Sequence, residues 1–152
     1  MMKWLGRILG VGLLVLAGGW VWQRFFVTDE TRVKRLIATM TTAVEQNKIV
    51  ALADCVAGDF NDEHGLDKAS LLGAVRSVRM QYEALFIHIS DLALQVAPDH
   101  RTAQATLVAK ILTRRAGGGE TELNAERVRL FFRRTDDGWK LTGEESPELK
   151  FE

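Results

Sequence analysis

The chain has 152 residues, of which 47% are hydrophobic and 26% charged, with 20 basic and 20 acidic side chains. That is enough apolar material for one domain of ordinary size with a true core. Residues 1–27 hold Lys3, Arg7 and Arg24 and no acid, so 17 basic side chains face 20 acidic ones in the remainder, a net charge of −3 that argues against nucleic-acid binding. Cys55 is the only cysteine, which excludes an internal disulfide and any multi-cysteine zinc or iron–sulfur site.

From Ile8 to Trp22 the sequence ILGVGLLVLAGGWVW carries no ionisable side chain. Extended to Trp4 and Val27, the segment reaches the ~20 residues that a membrane-spanning helix needs. Arg7 and Arg24 then lie near its ends, where long side chains reach the headgroups, and Trp4, Trp20 and Trp22 fit an aromatic belt. The expectation is a membrane anchor over residues 1–27. A cleaved signal peptide competes, with Ala17-Gly18-Gly19 before the cut, and so does a buried helix. The basic flanks, counted on both sides, favour a cytoplasmic domain, whereas the short basic start favours export. The expected location is a single-pass membrane protein with a periplasmic or other extracytoplasmic domain.

The soluble part is expected over residues 28–145, with an acidic tail over 146–152. Its first helix runs from about Asp29 to Gln46, capped by Thr28, with Val33, Leu36, Ile37, Met40 and Val44 in one stripe. Asn47 can cap a short second helix containing Ile49 and Leu52. GDFNDEHG, from Gly58 to Gly65, is predicted as a loop. Asp67 caps a third helix through Gln81, with Leu71, Leu72, Val75 and Val78 on its apolar face. The period then changes to that of strands. Leu85, Ile87 and Ile89 alternate with polar or outward residues, and after Asp91 the apolar positions become Leu92, Leu94 and Val96. That switch of parity predicts a β-bulge. Pro98-Asp99-His100 turns the chain into a strand over Thr102–Arg115, and the glycines at 117–119 lead to another over Thr121–Arg134. Asp137-Gly138 makes a tight turn into a last strand holding Trp139 and Leu141. Beyond Gly143 the chain is expected to be loose. Three helices followed by four consecutive strands predict an α+β fold, the helices packed on one face of an antiparallel meander.

The order of elements, the acidic GDFNDEHG loop, the long third helix, the bulged strand and the closing RTDDGWKLT together resemble the NTF2-like superfamily, the SnoaL-like or cystatin-like cone. The resemblance covers about Thr28 to Glu145 and is to a fold that hosts isomerases, cyclases, dehydratases, transport factors and binding domains. It implies a curved sheet wrapped around helices.

Enzymes of that kind resemble apolar cones holding a few acids, bases or hydroxyls. The expected inward positions, from Val33 on the first helix to Leu141 on the last strand, carry no ionisable group. Asp54, Asp59, His64 and Tyr82 are candidates for the cone mouth, each more readily explained as ordinary surface or packing. His64, His88 and His100 lie in three different elements without ligand spacing, so no metal site and no cofactor are expected. Parity places Phe86, Val108, Leu112 and Phe131 on the outer face among Arg127, Arg129 and Arg133. Apolar residues inside a charged rim can mark a contact surface. The leading expectation is a membrane-tethered, non-catalytic domain that self-associates or holds a partner protein. The alternative is a small-molecule isomerase, cyclase or carrier using the cone.

Overall fold

Helix α1 spans Asp29–Glu45 and begins where Thr28 accepts a hydrogen bond from the Thr31 amide at 3.2 Å, with Asp29 and Glu30 in its first turn. Such a cap stabilises a helix start by roughly 1 kcal/mol. Val33, Ile37, Met40 and Ala43 form its buried stripe. The helix ends in a Schellman motif: Lys48 N–H donates to Ala43 O at 2.8 Å and Asn47 N–H to Val44 O at 3.2 Å. Asn47 takes the left-handed conformation this requires, at φ 54°. It therefore closes α1 rather than capping the next helix. The N-cap of α2, Ile49–Cys55, is Lys48, which makes no side-chain cap. Helix α3, Lys68–Gln81, is capped as expected by Asp67, which accepts from the Ser70 amide at 2.8 Å.

The computed structural model describes residues 28–119 and 121–146. The anchor expected over 1–27, with Trp4, Arg7, Trp20, Trp22 and Arg24, lies outside them, as does the tail beyond 146. No helix among the described residues is long and apolar enough to cross a membrane.

Four strands follow in order: β1 Tyr82–Val96, β2 Thr102–Arg115, β3 Thr121–Thr135 and β4 Gly138–Glu145. They form one antiparallel sheet of order β1-β2-β3-β4. The expected parity switch in β1 is present. Ser90 opposes Val108 and Ala93 opposes Thr106, so Asp91 and Leu92 share one partner position. Leu92 itself sits in this bulge and is exposed, not inward. Asp91 absorbs the kink at φ 54°. Val78, expected on the apolar face of α3, is also exposed.

The core lies between α1, α2 and the concave side of the sheet. Its best-buried large side chains are Phe132 and Val33, with Leu52, Leu107, Trp139 and Leu141 around them. The free edge of β4 is covered by the chain after α2. Val56 pairs with Leu141, Ala57 N–H donates to Leu141 O at 2.8 Å, and Asn61 N–H to Thr142 O at 3.2 Å. At the other edge Ile87 N–H donates to Glu45 Oε1 at 2.8 Å. The GDFNDEHG segment is a loop, organised by Asp62, whose Oδ1 accepts from the amides of His64 at 2.9 Å and Leu66 at 2.6 Å.

Candidate functional site

Helix α3 contributes no fully buried side chain. It roofs the concave face without filling it, and a cavity of about 300 Å³ remains between the layers. Ile37, Met40 and Val44 of α1 and Leu71 and Val75 of α3 form the helical wall. The sheet supplies Ile87, Ile89, Leu107, Ile111, Val128 and Leu130. This is the apolar lining of a small-molecule pocket. Two polar side chains interrupt it, Thr41 and Glu144. The Thr41 hydroxyl already donates to Ile37 O at 2.9 Å.

Glu144 reaches the wall because of a second bulge. Phe132 opposes Leu141 and Phe131 opposes Gly143, so Thr142 is the extra residue on β4. Regular alternation from Trp139 and Leu141 would turn Glu144 to solvent. The inserted residue reverses the parity and sets Glu144 opposite Leu130, on the cavity face. Glu144 and Glu145, expected to be loose, are thus ordered in the sheet. Strand β4 continues to Glu145, and the Glu63 amide donates to Glu144 O at 3.3 Å. The interior expected to lack ionisable groups contains one. Burial pushes the Glu144 pKa above the ordinary carboxyl range, and the carboxylates of Glu126, Asp62 and Glu63 push it the same way. A carboxyl in this state holds its proton to higher pH and can donate a hydrogen bond.

Comparison with solved structures places this architecture. The chain superimposes on a provisionally assigned dehydratase of the NTF2-like family from Streptomyces avermitilis with a TM-score of 0.65, at 23% identity over 80% of this chain and 97% of the other. A provisionally assigned aromatic ring hydroxylase from Novosphingobium aromaticivorans gives a TM-score of 0.69, at 19% identity over 81% and 90% of the two chains. An NTF2-like protein with a cystatin-like fold from the same organism gives 0.65, at 17% identity over 90% of each chain. The fold is that of the NTF2-like cone. No protein-family model and no curated protein matches the sequence.

The four residues expected at the mouth of the NTF2-like cone are placed elsewhere. Asp54 is exposed beside Arg76 in a shallow surface hollow, and its carbonyl accepts from Lys140. Asp59 is exposed and accepts two hydrogen bonds of 2.8 Å from the Arg133 guanidinium. His64 is exposed, with Nε2 3.5 Å from Glu63. Tyr82 is half-buried at the end of α3, and its carbonyl accepts from Arg79 at 3.0 Å. None of the four lines the cavity. Cys55 is buried, its thiol donates to Ala51 O at 3.3 Å, and burial raises its pKa, the state of an inert packing cysteine.

On the convex side of the cone the expected apolar positions form a row. Phe86 opposes Leu112 and Leu112 opposes Leu123, and these three are exposed by 61%, 38% and 64%. Leu123 was not among the positions expected there. Val108 and Phe131 are half-buried. Arg129 lies 3.3 Å from Glu145, and Arg133 is held by Asp59, whereas Arg127 is exposed.

Proposed function

We propose that this domain binds a small, largely apolar molecule inside the cone, with the Glu144 carboxyl as its polar contact. The observation that carries this reading is the cavity of about 300 Å³, apolar but for Thr41 and one carboxyl. Solved relatives of the fold named for dehydratase and hydroxylase chemistry support a small-molecule role. An ionisable group inside the cone, Glu144, favours a ligand pocket over a domain that acts through its outer face alone. One carboxyl can carry one proton from a ligand atom to another, the step of a simple isomerisation. A neutral fluorescent probe, N-phenyl-1-naphthylamine, tests the reading on residues 28–152 expressed alone. Its emission should rise and shift to the blue on binding. Val75→Trp, which fills the roof, should abolish the response while the circular dichroism spectrum stays native. A probe that ignores the wild type, or binds both forms alike, would remove the reading.

A second reading concerns the outer face. The Phe86, Leu112 and Leu123 row crosses three strands and is exposed, which supports self-association or capture of a partner protein through that face. Phe86→Asp combined with Leu123→Asp should lower the sedimentation coefficient. An unchanged value removes this reading. Residues 1–27 would tether the domain to a membrane, on the extracytoplasmic side, as their composition supports. A C-terminal reporter active on one side of the membrane checks that placement.

A further inference from the structure

The charge around one end of the cavity selects the class of ligand. Three elements bring carboxylates there. Glu144 lines the wall from β4. Glu126 stands on β3 two and four residues before Val128 and Leu130, on the same face as these two cavity residues. Asp62 and Glu63 lie on the segment that runs along the edge of β4, where the Glu63 amide meets Glu144 O at 3.3 Å. Among the described residues the helices present only uncharged side chains to the cavity, and no lysine or arginine lines it. On β3, Arg127 and Arg129 lie on the opposite face, Arg127 exposed and Arg129 with Glu145 at 3.3 Å. His64, beside Glu63, is exposed.

We infer that the cavity takes a hydrophobic cation: a small apolar molecule bearing one protonated amine, its ammonium group against the Glu144 carboxyl. This rests on the ligand-binding reading above and names the ligand class. An anion could pair only with the protonated form of the carboxyl, and it would add negative charge to a field already negative. A neutral molecule would bury its apolar body but leave that field uncompensated. An ammonium group offsets it and gives Glu144 a charged hydrogen-bond partner. Because burial and the neighbouring carboxylates raise the Glu144 pKa, the ionised form that pairs with an ammonium group gains population as pH rises, and affinity for the amine rises with it.

Three matched ligands test the inference by titration calorimetry: 2-phenylethylamine, 2-phenylethanol and phenylacetate. The full-length chain in a non-ionic detergent is used, with detergent alone as the blank. At neutral pH the amine should bind roughly tenfold more tightly than the alcohol, the size of effect typical of a hydrogen bond to a charged group. The carboxylate should bind more weakly than either. Glu144→Gln should erase the preference for the amine over the alcohol. Glu126→Gln, which leaves the cavity wall intact, should reduce the preference partway, and it serves if Glu144→Gln does not fold. Alcohol binding without tighter amine binding overturns the cation inference and leaves the pocket reading standing. Failure of all three ligands overturns the pocket reading itself. An amine preference that survives both substitutions overturns the assignment to Glu144.

Discussion

Leu130 and Glu144 face each other across the β3–β4 ladder, so a leucine and a carboxyl share one wall of the cavity. Three residues earlier in β4, Leu141 faces Phe132, only two residues along β3, on the same side of the sheet, with the bulge at Thr142 making up the difference. The local geometry of one strand therefore decides whether the cone is purely apolar or holds an acid.

That acid gives folding a pH dependence of unusual sign. Burial and the neighbouring carboxylates raise the Glu144 pKa in the folded state. Between the unfolded and folded values the native protein holds more protons, so stability falls as pH rises through that window. Below the unfolded value both states are protonated and the penalty vanishes. Glu144→Gln should therefore melt at a higher temperature than the wild type at about pH 8 and converge with it near about pH 4. Asp59 and Asp67 act in the opposite sense. The Arg133 hydrogen bonds hold Asp59 below the ordinary range and the Ser70 amide does so for Asp67. Their stabilisation is present at neutral pH and fades as pH falls through the lowered values. Thermal melts of wild type and variant across this range check the prediction, and parallel profiles would refute it.

Much of the fold was legible because local chemistry and packing agree. Asp67 and Thr28 announce helix starts, and the alternation of β2 and the parity switch in β1 both appear in the structure. Asn47 misleads because an asparagine suits both an N-cap and a left-handed C-terminal position, and only the carbonyls of Ala43 and Val44 decide between them. Glu144 was hidden for a different reason. The bulge in β1 is marked by a visible change in the apolar alternation, but the one at Thr142 falls after the last apolar residue of β4. No hydrophobic pattern remains there to show that the parity has turned. The cavity itself depends on how far α3 stands from the sheet, a tertiary spacing with no local sequence mark.

Phe132 anchors the sheet to the helices. It is 1% exposed and opposes Ala103 on one side and Leu141 on the other. Phe132→Ala removes a ring from a position with small and medium neighbours that cannot close over the gap. A loss of about 3–5 kcal/mol is expected. Urea unfolding should show this as a lower midpoint with an unchanged slope.

The roof of the cavity depends on its cap. Asp67 satisfies the Ser70 amide, and beyond that cap α3 is held by Leu71, Leu72 and Val75, which are only partly buried against the core. Asp67→Ala should fray the first turn of α3, where Leu71 lines the cavity. Amide exchange at Ser70 and Leu71 should accelerate, and N-phenyl-1-naphthylamine should bind more weakly. Asp67→Asn, which keeps an accepting oxygen, should preserve both. If the alanine variant exchanges at the wild-type rate, the cap is not what holds the roof.

Gly143 fixes β4 against the segment along its edge. A Cβ there would stand 3.1 Å from Asn61 O and 3.5 Å from the Phe131 ring. The Asn61 oxygen belongs to the backbone of the segment that covers the β4 edge, tied by the Asn61 N–H to Thr142 O hydrogen bond. It can yield only by moving that segment. Gly143→Ala should cost less than Gly143→Val, and the valine should destabilise by roughly 1–3 kcal/mol, the range for overpacking. The displaced segment carries Asp62 and Glu63, two of the carboxylates that raise the Glu144 pKa. Loosening it should therefore lower that pKa. The Gly143→Val protein should show both a lower melting temperature and a shallower loss of stability towards alkaline pH. A variant that melts earlier but keeps the wild-type pH slope would show that the segment does not set the charge of the cavity.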